Sequence, residues 1–178
     1  MENLSDSFKS KPLVLVVDDE PGIREIVSMT LDRMGATTLE ASSAEEALEV
    51  LQREPISVVL CDIKMKGQSG LDLLSRCHVQ GVTVPFVFLT GYDSSDYLMR
   101  AVRLGAMDFV LKPIKAEELN LVLSRVLAIT VRSRRIDEII ASVSHHLSPE
   151  LQKELLDLGR QIAMTRTMLA KKRNEGSW

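Results

Sequence analysis

Short apolar runs alternate with amphipathic stretches over the first two-thirds of the chain. "LVLVV" (13–17), "ISVVLC" (56–61) and "VPFVFL" (84–89) are almost wholly apolar, the pattern of strands buried on both faces. "ATTLE" (36–40) is more polar and predicts an edge strand, and "MDFVL" (107–111) completes the set. Between these runs the apolar residues take helical spacing. One helix is predicted over about 22–34, with Ile23, Ile26, Val27, Met29 and Leu31 apolar and a stop at Gly35. "SSAEEALEVL" opens a second, with Ser43 and Glu46 at capping-box spacing. A third begins near "SGLDLLSRC", a fourth, "SSDYLMRAVRLG", stops at Gly105, and a fifth follows "KPIKAEEL".

Regular βα alternation implies an α/β fold, with parallel strands, right-handed helical crossovers and helices on both sheet faces. The predicted architecture is a flavodoxin-like doubly wound sheet of five strands in the order 2-1-3-4-5, followed by an all-α extension. From Ala116 to Trp178 there is no strand pattern. Apolar residues recur there at 119, 122, 126, 129, 136, 140, 143 and 147, a 3-4 spacing with Ser133 as its polar interruption, which predicts a coiled-coil seam on a fifth helix of about thirty residues. Ser148 as N-cap and Pro149 at the first helical position mark a new helix or a kink, after which Leu151, Leu155, Leu158, Ile162 and Leu169 continue the stripe. The chain thus divides into a polar lead (1–11), an α/β body (12–130) and a helical extension (131–178). A lone helix cannot hold such a stripe in water, so homodimerisation through the C-terminal helices is expected, with a hairpin folded back on the same chain as the alternative.

Composition refines this picture only in part. With 45% apolar and 26% charged residues the chain supports a packed core. Residues 130–178 hold nine Lys/Arg against six Asp/Glu; the first 129 hold thirteen against nineteen, so an acidic body precedes a mildly basic tail. The net charge of −3 gives no global pull toward nucleic acid, and the tail lacks the aromatic residues or helix-turn-helix pattern of a DNA reader. No segment approaches the roughly 18 apolar residues of a membrane-spanning helix, and "MENLSDSFKSK" is not a signal peptide. Cys61 and Cys77 form no CxxC and read as core thiols of a cytoplasmic protein, and His78, His145 and His146 lack zinc-ligand spacing.

Ligands of open α/β sheets sit beyond the carboxyl ends of the strands, where strand order reverses. Asp18 and Asp19 follow the first predicted strand, Asp62 the third, Thr90 the fourth and Lys112 the fifth. Singly, each has a bland reading as a helix cap, turn or loop residue. Together they place carboxylates, a hydroxyl and a lysine on one rim. Hard oxygen donors there suit Mg²⁺, and the set suits phosphoryl transfer onto a carboxylate nucleophile.

The segments "VLVVDDEPGIR", "VVLCDIKMKGQSGLDLL", "PFVFLTG" and "RLGAMDFVLKPI" resemble the receiver domain of two-component response regulators over about residues 12–130. The resemblance implies that Asp62 accepts a phosphoryl group from a histidine kinase or a phosphotransfer protein. It implies that Asp18, Asp19, Asp62 and the backbone carbonyl of Lys64 hold Mg²⁺, and that Lys112 contacts the phosphoryl group. Thr90 and Phe109 become the switch pair, and the face of the fourth helix, fifth strand and fifth helix carries the signal to a downstream protein. The sequence departs from the family where Lys66 replaces the usual proline, which predicts a looser loop, and where Gly91 replaces a common alanine. Lys64 and Tyr92 occupy positions that tune hydrolysis in the family, and their bulk predicts a long-lived phosphoryl group. "SVSHHLSPEL" loosely resembles a histidine-kinase phosphoacceptor box, with His145 as its histidine, but it is one residue short and lacks the acidic residue after His.

The reading is therefore a response regulator that controls dimerisation or partner binding, not a conventional enzyme. Two rivals stand beside it. One is a receiver-like constitutive scaffold whose output ignores phosphorylation. The other is a haloacid-dehalogenase-type phosphatase, which wants an acidic residue two positions after its nucleophile, where this chain has Lys64.

Overall fold

The computed structural model describes residues 11–91 and 95–143, and beyond them 148, 150, 151, 153, 154, 157 and 158; side chains are described to Val131, save at Ser95, and at these later positions. The chain divides into two compact units, one up to Leu127 and one from Ala128.

In the first unit, β1 (Leu13–Val17), α1 (Pro21–Arg33), β2 (Thr37–Ala41), α2 (Ala44–Arg53), β3 (Val58–Asp62), α3 (Gly70–Val79), β4 (Phe86–Thr90), α4 (Ser95–Arg103) and β5 (Asp108–Leu111) follow one another, and α5 (Ala116–Val143) begins. The strands form one parallel sheet in the order β2-β1-β3-β4-β5, as expected, with the more polar β2 at an edge. Alternate strand residues feed two cores. Leu15, Val17, Val59, Cys61, Phe86 and Phe88 pack with residues of α2, α3 and α4. Val14, Val16, Leu60, Val87, Leu89 and Val110 pack with residues of α1 and α5. Two-sided burial explains why β3 and β4 read as unbroken apolar runs.

The local signals act as their chemistry requires. The positive φ of Gly35 and Gly105, 84° and 78°, ends α1 and α4 in a conformation that disfavours any side chain. Ser43 caps α2 by accepting from the Glu46 amide at 3.2 Å, while the Glu46 carboxylate turns to the amide and hydroxyl of Ser42, at 2.7 and 2.8 Å. The reciprocal capping box forms instead at α3, between Ser69 and Asp72. Asp108, buried at the start of β5, pairs with Arg125 of α5.

The α5 stripe corrects one expectation. Leu119, Val122 and Val126, predicted as the start of a coiled-coil seam, are 0%, 5% and 1% exposed, and with Leu123 and Leu127 they pack on the sheet. Five core positions within nine residues make a broad face, wider than a two-position seam, because a sheet offers a surface where a partner helix offers a ridge. In the second unit α5 continues to Val143, the Leu151 amide donates to the Ser148 hydroxyl at 3.4 Å, and Glu150 and Leu151 are helical. His145 and the later stripe positions Leu155, Ile162 and Leu169 lie outside the described residues. Among the described residues no helix is long and apolar enough to cross a membrane.

Candidate functional site

Strand register brings the rim residues level. Val17 pairs with Cys61, so Asp18 leaves β1 at the height at which Asp62 ends β3. Asp62 pairs with Leu89, one residue before Thr90, and Thr90 pairs with Leu111, one residue before Lys112. β1 and β3 flank the point where strand order reverses, so the carboxylates stand where such sheets bind ligands.

Asp18 is fully buried, Asp62 is 7% exposed and Asp19 is half-buried. One carboxylate oxygen from each lies within 4.8 Å of the others. The Lys112 ammonium donates to Asp18 Oδ2 and to Asp62 Oδ2, at 2.9 Å each. Its own backbone amide donates to the Thr90 carbonyl at 2.7 Å, which sets the root of that side chain against β4. Three of the four other carboxylate oxygens are oriented by amides. Glu20 N–H donates to Asp18 Oδ1 at 2.9 Å, Lys64 N–H to Asp62 Oδ1 at 3.3 Å, and Lys66 N–H to Asp19 Oδ2 at 3.3 Å. A proline has no N–H to donate, so Lys66 makes a tie from the loop to the acidic rim that the family's usual residue cannot make.

Charge and burial compete at this rim. Burial pushes the Asp62 carboxyl above the ordinary aspartate range and the Asp18 charge adds to this, against the hydrogen bond and charge of Lys112. Burial draws the Lys112 ammonium down, but its bonds to Asp18 and Asp62 outweigh that and hold its pKa above the ordinary lysine value. A carboxyl whose folded pKa is raised contributes stability in its neutral form, and loses that contribution as pH rises through the folded value. Ionised Asp62 is therefore a cost to the metal-free fold at neutral pH. Asp62→Asn is expected to raise the unfolding temperature of metal-free protein by a few degrees. The gain should shrink as pH falls below the raised pKa, which a thermal-melt series across acid and neutral buffers checks.

Of the other predicted residues, the structure describes Thr90, Phe109 and Lys64. Thr90 is 2% exposed and its hydroxyl donates to the Gly91 carbonyl at 3.2 Å. Phe109 is half-buried on β5, against the core beneath α2, α3 and α4. The Lys64 ammonium lies 5.5 Å from the ring centre of Tyr97 on α4, and Tyr92 falls outside the described residues. Cys61 is a fully buried thiol, pushed well above its ordinary pKa by burial and by the Asp62 charge, and its Sγ contacts the Asp62 carbonyl at 3.2 Å.

Sequence reading passed over two contributors. Gly70, at the start of α3, lies against the Asp62 carbonyl. Arg24, near the start of α1, donates to the Asp18 carbonyl at 2.7 Å and to Glu40 at 3.2 Å. A cation at a helix N-terminus opposes the helix dipole, and that anomaly in "DDEPGIR" was the available signal.

The three carboxylates, two buried and one half-buried, offer converging oxygen donors, a set suited to a hard divalent cation. Comparison with known proteins gives the same direction. The family model described as "Response regulator receiver domain" matches residues 14–124. The response regulator protein PilR of Pseudomonas aeruginosa is 37% identical over 141 residues, 79% of this chain and 31% of its own length. The transcriptional regulatory protein ZraR of Klebsiella oxytoca is 32% identical over 117 residues, 66% of this chain and 26% of its length. The chain thus spans about a third or less of these relatives. The chemotaxis protein CheY4 of Vibrio cholerae superposes with a TM-score of 0.63 at 30% identity, covering 66% of this chain and all of that one. With its sheet order, its rim of acids and lysine, and a family match over most of the α/β unit, the chain belongs to the response regulator receiver domain family.

Proposed function

We propose that Asp62 accepts a phosphoryl group from a histidine kinase or phosphotransfer protein, in a Mg²⁺-dependent reaction, and that the modified chain switches its dimerisation or partner binding. The observation that carries this reading is the Lys112 ammonium, 2.9 Å from both the Asp18 and the Asp62 carboxylates. Asp18, Asp19, Asp62 and the Lys64 carbonyl are the residues that would hold Mg²⁺, whose charge, when bound, offsets that of the rim and of an incoming phosphate. The Asp62 oxygen attacks phosphorus, a new O–P bond forms, and the bond from phosphorus to the donor imidazole breaks with its electron pair leaving on the imidazole. Lys112 meets the charge on the equatorial oxygens, and Thr90 turns its hydroxyl from the Gly91 carbonyl to the phosphoryl group.

The modification replaces the single carboxylate charge of Asp62 with about two on the phosphoryl oxygens, about one more negative charge at the rim. It biases a two-state element in which Phe109 turns inward behind Thr90, and the face of α4, β5 and α5 changes for its partner. The bulk of Lys64 and Tyr92, at the two positions that tune hydrolysis in the family, supports a long-lived phosphoryl group. Homodimerisation belongs to the stripe beyond Ile129, since its earlier positions are core. We read the chain as cytoplasmic, in keeping with the family it belongs to. Beyond its own phosphorylation and hydrolysis it turns over no substrate. The name of ZraR speaks of transcription, a role for which this chain would need a nucleic-acid-binding partner or segment, against the expected absence of nucleic-acid contact.

The test is incubation of the full chain with acetyl phosphate, with and without Mg²⁺, followed by intact mass and peptide mapping. One Mg²⁺-dependent phosphoryl adduct on Asp62 is expected, absent in Asp62→Asn. Mg²⁺ alone should raise the unfolding temperature of wild type and leave that of Asp62→Asn nearly unchanged. A phosphorylatable wild type whose size and partner profile do not change with modification would support the constitutive scaffold instead.

A further inference from the structure

Asp18 is anchored at more points than its carboxylate alone requires. Its side chain meets Glu20 N–H and the Lys112 ammonium, its amide donates to the Ala41 carbonyl at 3.2 Å, and its carbonyl accepts from Arg24 Nη1 at 2.7 Å. The Arg24 side chain is 16% exposed, and its Nε donates to Glu40 Oε2 at 3.2 Å. Ser28, one turn further along α1, donates to the other Glu40 oxygen at 2.7 Å. The guanidinium therefore bridges the turn after β1 to the last residues of β2, and Glu40 is itself held in place by Ser28.

A carbonyl held at one residue fixes the peptide plane there, and with it the direction in which the adjoining side chain leaves the backbone. We infer that Arg24, braced by Glu40 and Ser28, is the positioning residue that sets the Asp18 carboxylate for the cation and the incoming phosphoryl group. The inference rests on the reading of Asp62 as phosphoacceptor and of the acidic rim as the metal site. Arg24 touches neither reacting atom, so its role is indirect, and the sign of its effect separates this role from simple electrostatics. Removing a cation near an acidic rim should by Coulomb's law tighten Mg²⁺ binding. Removing a positioning group should weaken it, because partners that orient ligating carboxylates are typically worth about ten- to a hundredfold in metal affinity. Lysine keeps the charge but cannot donate in two directions from one rigid plane.

The experiment is calorimetric titration of the full chain with Mg²⁺ for wild type, Arg24→Ala and Arg24→Lys, with thermal melts to establish that each is folded. Acetyl-phosphate labelling rates are measured alongside as functions of Mg²⁺ concentration. The expected result is a roughly tenfold loss of Mg²⁺ affinity in both variants, with labelling restored at high Mg²⁺. Wild-type affinity in Arg24→Lys, or tighter binding in Arg24→Ala, overturns the inference while leaving the phosphoacceptor reading intact. Wild type that neither binds Mg²⁺ nor takes a phosphoryl group overturns both. If Arg24→Ala fails to fold, Arg24→Lys alone decides.

Discussion

Gly70→Ala is expected to destabilise the α/β unit by about 3 kcal/mol and to disturb Asp62, the proposed phosphoacceptor, with it. A Cβ at Gly70 would stand 2.2 Å from the Asp62 carbonyl oxygen, 2.7 Å from Cys61 Sγ and 3.0 Å from Phe88 Cε1. The nearest of these is backbone at the end of a central strand, which no rotamer change can move. Retreat of the helix is opposed as well, because the Gly70 amide donates to the Ile63 carbonyl at 3.1 Å and Leu71, Leu73 and Leu74 are buried behind it. Gly70 is not among the glycines of positive φ, so alanine meets no backbone penalty and the loss is steric alone. Gly22→Ala is the control, since nothing lies within 4 Å of a Cβ there; it should stay within about 0.5 kcal/mol of wild type. Denaturant unfolding of the two variants measures the contrast. A Gly70→Ala midpoint equal to that of wild type would show that α3 and β3 are not in the close contact described.

Lys112→Met is expected to have the second large effect, on stability and on phosphorylation together. It leaves Asp18, fully buried, and Asp62, 7% exposed, facing one another without their shared cation. Stranding a buried charge is far more costly than removing a pair, and with the Lys112 side chain 21% exposed the loss at neutral pH is about 2–3 kcal/mol. The pH dependence carries a definite sign. Without the ammonium, the raised pKa of Asp62 rises further, since Lys112 supplies the two largest effects that lower it. Its neutral form then favours folding, so the deficit should be largest at neutral pH and close as pH falls toward the ordinary aspartate range. Acetyl-phosphate labelling should slow by about a hundredfold or more, the typical result of deleting one group that meets transition-state charge. A neutral-pH melt equal to that of wild type would mean that water, not Lys112, carries the charge of this rim.

Much of this was legible in the residues. The apolar runs at 13–17 and 84–89 announced central strands, the polar "ATTLE" announced an edge, and Gly35 and Gly105 announced helix ends, each through a preference that operates within a few residues. The rim of Asp18, Asp62 and Lys112 was legible too, because residues that follow successive parallel strands must emerge on one side of the sheet. The stripe of α5 was half legible. Its 3-4 spacing marked an apolar face, but spacing does not name the surface that covers it, and from Leu119 to Leu127 that surface is the chain's own sheet.

Periodicity, caps and strand-end chemistry thus settled the architecture and the acidic rim, since both follow from forces that act along a short segment. Packing alone settled the need for no side chain at Gly70, the amide of Lys66 reaching Asp19, and the guanidinium of Arg24 closing on Asp18 and Glu40. Those are contacts of a few ångströms between residues distant in the chain or on different elements. Their strength depends on the register and separation of whole strands and helices, which no local preference encodes.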